Sequence, residues 1–170
     1  ISFTASFSLI SEDFSVKRVK HGETNKVLML EEEILFNQGD SGDNAYMVIS
    51  GRLAVIVDKK EVGHMGDGEV FGELALLLNQ KRSATVKSLK STELIEINRS
   101  GLDKILSSAS SNVKSMILDL CEELSKRNEF QKIPFSVNEL NSMIEEENDL
   151  ITKFARQIFY RLDKSTSHVE

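Results

Sequence analysis

The spacing of hydrophobic positions changes near residue 98. Before it, Val, Ile, Leu and Phe come in short runs broken by turn residues, and eight of the nine glycines fall there. Short apolar runs bounded by Gly, Asn, Asp and Ser predict β-strands. They are expected at 14–19, 26–31, 34–36, 46–49, 52–57, 62–65, 84–88 and 93–97. Residues 21–24 and the charged stretch 58–61 read as turns, and Ser50-Gly51 as a two-residue hairpin loop. Many short strands with frequent turns predict a sandwich, barrel or roll.

After residue 98 the apolar period becomes helical. Ser100-Gly101-Leu102-Asp103 resembles a capping box, opening a helix to about residue 107. Val113, Ile117, Leu120 and Leu124 form one face of a second helix over 111–129. Pro134 interrupts, and Ser136-Val137-Asn138-Glu139 is a full capping box. A single third helix is expected over 137–163, with Leu140, Ile144, Ile151, Phe154, Ile158 and Leu162 on its apolar face. Glu147 and Arg161 fall on its a/d-type seam, which argues against a pure coiled coil.

Composition narrows the classes. The 170 residues suit one domain with an appendage, and 40% hydrophobic content supplies a core. A net charge of −6 argues against a nucleic-acid partner, because phosphate coating needs a basic face. No apolar run approaches the length of a membrane span, so no direct membrane insertion is expected. The first residues lack a secretory pattern and an initiator Met, as in a cytoplasmic fragment of a longer chain. One cysteine excludes a disulfide framework and a multi-Cys zinc site, and His21, His64 and His168 are scattered, so no metal is expected. Cys121 reads as a small buried hydrophobe. Gly39-Asp40-Ser41-Gly42 resembles part of a serine-protease stretch but reads as a polar turn. Gly66-Asp67-Gly68-Glu69-Val70-Phe71-Gly72 has one residue too many for a dinucleotide fingerprint and opens no long helix.

The stretch from Phe71 to Val86, FGELALLLNQKRSATV, is more informative. A glycine opens a short apolar segment of one or two helical turns; a loop follows, then an arginine entering a strand. Unpaired amides at a helix start suit an anion, and glycine allows close approach. Arg82 can return to the same point with a bidentate phosphate contact. Ionised Glu73 can only accept, so it suits a sugar hydroxyl. Together they fit a sugar phosphate of low charge better than a polyphosphate with magnesium.

This stretch resembles the phosphate-binding cassette of the cyclic nucleotide-binding domain family, including the spacing from Gly72-Glu73 to Arg82. Residues 36–51, FNQGDSGDNAYMVISG, and 65–72, MGDGEVFG, resemble its upstream signature. The resemblance covers about residues 28–128. It implies a mainly β fold with helices (α+β), an antiparallel β-roll of the double-stranded β-helix or jelly-roll type with flanking C-terminal helices. It also implies three regions: an N-terminal extension at 1–25, the nucleotide-binding domain at 26–130 with its cassette at 71–86, and a helical extension at 134–170. The implied ligand-binding residues are Phe71, Gly72, Glu73, Leu74, Ala75, Arg82, Ser83 and Ala84. Glu73 would accept from the ribose 2′-OH and Arg82 would pair with the phosphate. Gly72, Leu74, Ala75 and Ala84 would offer backbone groups and Ser83 a hydroxyl. Arg127 and Asn128 stand where the following helix caps the base. Arg82-Ser83-Ala84 resembles the cyclic AMP-binding catabolite activator, whereas threonine in place of Ser83 is common in cyclic GMP sites. Cyclic AMP is therefore expected over cyclic GMP.

No general base stands beside an activated nucleophile, so a binding domain is expected and not an enzyme. The expected role is a regulatory sensor whose C-terminal helices transmit the bound state to an effector domain or partner protein, with a homodimer possible through them. The alternatives are a ligand-free roll serving as an interaction platform, and the regulatory part of a kinase, cyclase or phosphodiesterase. Too little chain follows the roll for the activator's DNA-binding domain.

Overall fold

The computed structural model describes residues 16–21, 24–126, 133 and 135–167. Among the described residues nine strands precede most of the helical sequence: β1 (Lys17–His21), β2 (Thr24–Met29), β3 (Ile34–Phe36), β4 (Asn44–Ser50), β5 (Arg52–Val57), β6 (Lys60–Gly66), β7 (Val70–Phe71), β8 (Thr85–Ser88) and β9 (Thr92–Asn98). The helices are α1 (Glu73–Leu77), α2 (Arg99–Ser107), α3 (Ser111–Ser125), α4 (Val137–Ile144) and α5 (Asp149–Ser167). Five strands form one sheet in the order β1-β2-β9-β4-β7, and four form the other in the order β3-β8-β5-β6. All their pairings are antiparallel. This is the β-roll with flanking helices.

Period-2 alternation builds two cores on opposite faces of the larger sheet. In β4, Tyr46 and Val48 face inward to meet Leu53, Phe71, Val86 and Leu94 between the sheets. Its alternate residue Ala45, with Met47 beside it, joins Val70 and Ile97 against the helices. The helical side is supplied by Leu102, Ile117, Leu120, Phe154 and Ile158, each no more than 2% exposed. The layers are thus small sheet, large sheet and helices.

Three local expectations are corrected. Ser50-Gly51 is not a hairpin loop: β4 and β5 belong to different sheets, separated by Gly51 alone. A register shift bends β4 between Val48 and Ser50. Gly51 takes φ 133° against the Thr92 side chain and carries the chain across. The helix after β9 is capped not by Ser100 but by Asn98, whose Oδ1 accepts from Gly101 N at 2.8 Å. Strand therefore passes into helix without a linker.

The single helix expected over 137–163 is two helices. Glu145, Glu146 and Glu147 crowd like charges at the C-terminal end of α4, where the helix dipole disfavours anions. Asn148 then caps α5, its Oδ1 accepting from Ile151 N at 3.0 Å. The break is stitched to the joint between α2 and α3. Ser110 N donates to Glu147 Oε1 at 3.0 Å, and Asn148 Nδ2 donates to Ser108 Oγ at 2.9 Å. The capping box at Ser136 forms as expected, with reciprocal bonds of 3.2 and 2.9 Å to Glu139.

Candidate functional site

The cassette begins where β7 ends. Gly72 adopts φ 77°, ψ 1° and turns the chain from the sheet edge into α1. A Cβ there would stand 2.7 Å from Arg82 Nη1. The helix is five residues long, so it contributes little dipole and the electrostatics rest on side chains. Asn79, at φ 53°, helps return the chain toward β8.

The conspicuous 36–44 stretch holds Arg82. Gly39 N donates to Arg82 O, and Arg82 N to Asp40 O, each at 2.8 Å. Asp40 fixes its own turn by accepting from Asn37 N at 2.9 Å. A Cβ on Gly42 would run into the guanidinium. That group lies 4.1 Å from the centre of the Phe36 ring. Its Nη1 donates to Gly72 O at 3.0 Å and its Nη2 to Asn44 O at 2.7 Å.

Arg82 is 5% exposed and its Nε is buried without a partner. Burial pulls its pKa down, against the upward pull of Tyr46, Asp43, Glu73 and Asp40. Among the described residues no carboxylate forms an ion pair with it. A buried cation with no ion-pair partner is costly and favours an anionic ligand.

Glu73 is 1% exposed. Its Oε1 is ion-paired with Arg161, and its Oε2 is buried with no hydrogen-bond partner. One cavity, of about 90 Å³, is lined by Phe71, Gly72, Glu73, Leu74, Ala75, Arg82, Ser83 and Ala84. Eight of the ten sequence-predicted residues therefore meet at one place. Arg127 and Asn128 lie outside the described residues. Phe36, Val55, Met65 and Val86 complete the lining; Phe36, Met65 and Val86 lie in the quoted motif stretches but were not assigned to the site, and Val55 lies outside them.

A larger hollow, about 440 Å³, lies between the outer face of the large sheet, α2 and α5. None of residues 71–84 lines it. Its walls, among them Met47, Ile95, Ile105 and Phe154, are mainly apolar; Glu96 and Lys104 are its charged lining residues, and neither Arg82 nor Glu73 reaches it. Among the described residues no three His, Cys, Asp or Glu side chains gather to hold a metal. Cys121 is fully buried, and burial pushes its thiol pKa up, which suppresses the nucleophilic thiolate.

Residues 27–109 match the model of the cyclic nucleotide-binding domain family. This segment belongs to that domain family. It is 38% identical over 74 residues to the cGMP-dependent protein kinase of Eimeria tenella, covering 44% of this chain and 7% of the kinase. It is 39% identical over 84 residues to the cAMP-dependent protein kinase regulatory subunit of Yarrowia lipolytica, covering 49% of this chain and 22% of the subunit. The cGMP-bound structure of the EAL enzyme Bd1971 is similar at 34% identity and a TM-score of 0.54, over 58% of this chain and 28% of that one. Its cAMP-bound form gives a TM-score of 0.52 at the same identity and the same shares of both chains. The chain spans less than a quarter of the length of the curated relatives it matches. Among the described residues no helix is long and apolar enough to cross a membrane.

Beyond the residues that match the cyclic nucleotide-binding family, α5 touches the cassette directly. Arg161 pairs with Glu73 and also donates to Val70 O. One turn earlier, Gln157 accepts from Val70 N at 2.8 Å and donates to Gly68 O at 3.1 Å. These contacts satisfy the outer edge of β7, the last strand of its sheet. Sequence reading did not place either residue in the site. The available signal was a pair of charges, Glu147 and Arg161, on an otherwise apolar seam, and both prove to be partnered.

Proposed function

We propose that this chain is a cyclic-nucleotide-sensing regulatory domain that binds its ligand in the 71–84 cavity. The observation that carries the reading is Arg82, a guanidinium 5% exposed with an orphaned Nε and no carboxylate partner among the described residues. A cyclic phosphate supplies the missing charge, and the ribose 2′-OH donates to Glu73. Ser83 adds a hydroxyl contact, and Ser83 in place of threonine favours cyclic AMP over cyclic GMP. Arg127 and Asn128 contribute to a lid over the base.

A cavity of about 90 Å³ is small beside typical ligand clefts of ~300–1,000 Å³. Sugar and phosphate therefore enter with an outward movement of the cassette, and the base lies toward its mouth. Binding becomes a signal by population shift: ligand selects the closed arrangement of cassette and helices over the open one, and the helices after the roll carry the shift to an effector outside this chain. The domain binds and does not catalyse, and it works in the cytosol. The small cavity also favours a second reading, a roll used as an interaction platform without ligand.

Titration calorimetry separates the two. The protein is first unfolded and refolded to strip carried-over nucleotide, then titrated with cyclic AMP and cyclic GMP. Binding is expected, tighter for cyclic AMP. A charge-assisted hydrogen bond contributes about 1.5–3 kcal/mol, so Arg82→Ala should weaken binding roughly tenfold or more. No heat with either nucleotide from folded protein supports the platform. Binding that Arg82→Ala leaves intact moves the site elsewhere.

A further inference from the structure

The contact between α5 and the cassette falls on the carboxylate assigned to the ribose, and this inference rests on that assignment. Glu73 has two oxygens and two demands on them. Oε1 is taken by Arg161, from a helix outside the family match. Oε2 is buried with no donor, and Glu73 lines the cavity. An acceptor left dry and unpaired is unfavourable, and a ligand hydroxyl would relieve it. Arg161 does not compete for that oxygen. It supplies the cation that makes an ionised carboxylate tolerable at 1% exposure, and it fixes the side chain by also gripping Val70 O.

We propose that Arg161 is a positioning residue of the nucleotide site: it fixes and aims the Glu73 carboxylate, so that recognition of the ribose 2′-OH depends on α5 being docked. Linkage makes the dependence mutual. A ligand that uses Oε2 tightens α5 on β7, and undocking α5 lowers affinity for ribonucleotides in particular. The 2′-OH thereby becomes the group through which occupancy is reported to whatever follows α5. Gln157 bonds to the backbone of the same segment, at Val70 N and Gly68 O, so it serves as a comparison within the same helix.

The test compares cyclic AMP with 2′-deoxy cyclic AMP on wild type, Arg161→Ala, Arg161→Lys and Gln157→Ala. Wild type should prefer cyclic AMP by about tenfold, the worth of one charge-assisted hydrogen bond. In Arg161→Ala that preference should fall to within about twofold, through loss of cyclic AMP affinity, with the deoxy analogue little changed. Arg161→Lys should restore part of it, and Gln157→Ala should keep the ratio whatever it does to stability. A ratio cancels any general destabilisation of a variant, because unfolding weakens both ligands alike. Hydrogen exchange in wild type should show more added protection over 149–163 with cyclic AMP than with the analogue.

An unchanged ratio in Arg161→Ala overturns the proposal and leaves Arg161 a structural contact. A rise in cyclic AMP affinity also overturns it and makes Arg161 a competitor. Equal protection of α5 by both ligands overturns the coupling. Wild type that binds neither nucleotide defeats the sensor reading itself, a result distinct from all three.

Discussion

Two glycines with nearly the same backbone separate conformational need from site chemistry. Gly68 has φ 83° and open space where a Cβ would go; Gly72 has φ 77° and Arg82 Nη1 in that space. Alanine at either should cost about 1–2 kcal/mol from the left-handed backbone, measured by urea denaturation. Only Gly72→Ala should also reduce nucleotide affinity, because Arg82 must leave the Gly72 carbonyl to make room. Equal affinities for the two variants would show that Arg82 is not held by this contact. The cassette was legible from sequence because its parts are local: Gly72, Glu73 and Arg82 lie within one loop and one short helix. Arg161 was not, since it stands 88 residues from the glutamate it pairs with and no local pattern links them.

Among the elements, the boundaries that sequence misplaced are those where a polar side chain and a distant partner outweigh local periodicity. Strand positions followed the short apolar runs, and β3 and β5 fall where expected, whereas the two-residue β7 was not anticipated and β6 begins inside the expected 58–61 turn. The β4–β5 junction did not, because a Ser-Gly pair favours a turn without saying which sheet the next strand joins. The apolar face running from Leu140 to Leu162 suggested one helix, whereas the break at 145–148 depends on Asn148 and on contacts with Ser108 and Ser110. Asn148→Ala should remove the α5 cap and cost about 1 kcal/mol in chemical denaturation. Ser136→Ala, at the capping box of α4, should cost a similar amount. If Asn148→Ala were neutral, the two-helix break would have to be held by Glu147 and the packing of Ile144 and Ile151 alone. Because α5 carries Gln157 and Arg161, losing its cap should also loosen the edge of β7.

For the whole molecule, the large sheet is a wall shared by both cores. Tyr46 and Leu94 face the inner core, while Ala45 and Ile97, on the same two strands, face the helices. Damage on one side should therefore reach the other, and the described residues should unfold as one cooperative unit. Phe154 offers a direct test. It is 2% exposed on α5, belongs to the helical core and borders the 440 Å³ hollow, so the space left by truncation adds to an existing void. Phe154→Ala should cost about 3–5 kcal/mol. The two tyrosines provide unequal probes, since Tyr46 is 4% exposed between the sheets and Tyr160 is 50% exposed on α5. The near-ultraviolet signal of Tyr46 should therefore follow the inner core, while far-ultraviolet ellipticity follows the helices. In a Tyr160→Phe background that isolates Tyr46, both signals should shift to the same lower urea midpoint in Phe154→Ala. If ellipticity fell first with the Tyr46 signal intact, the helices would be a separate layer that docks on a self-sufficient roll. A sensor coupled through α5 would then work by detaching that layer rather than by straining a common core.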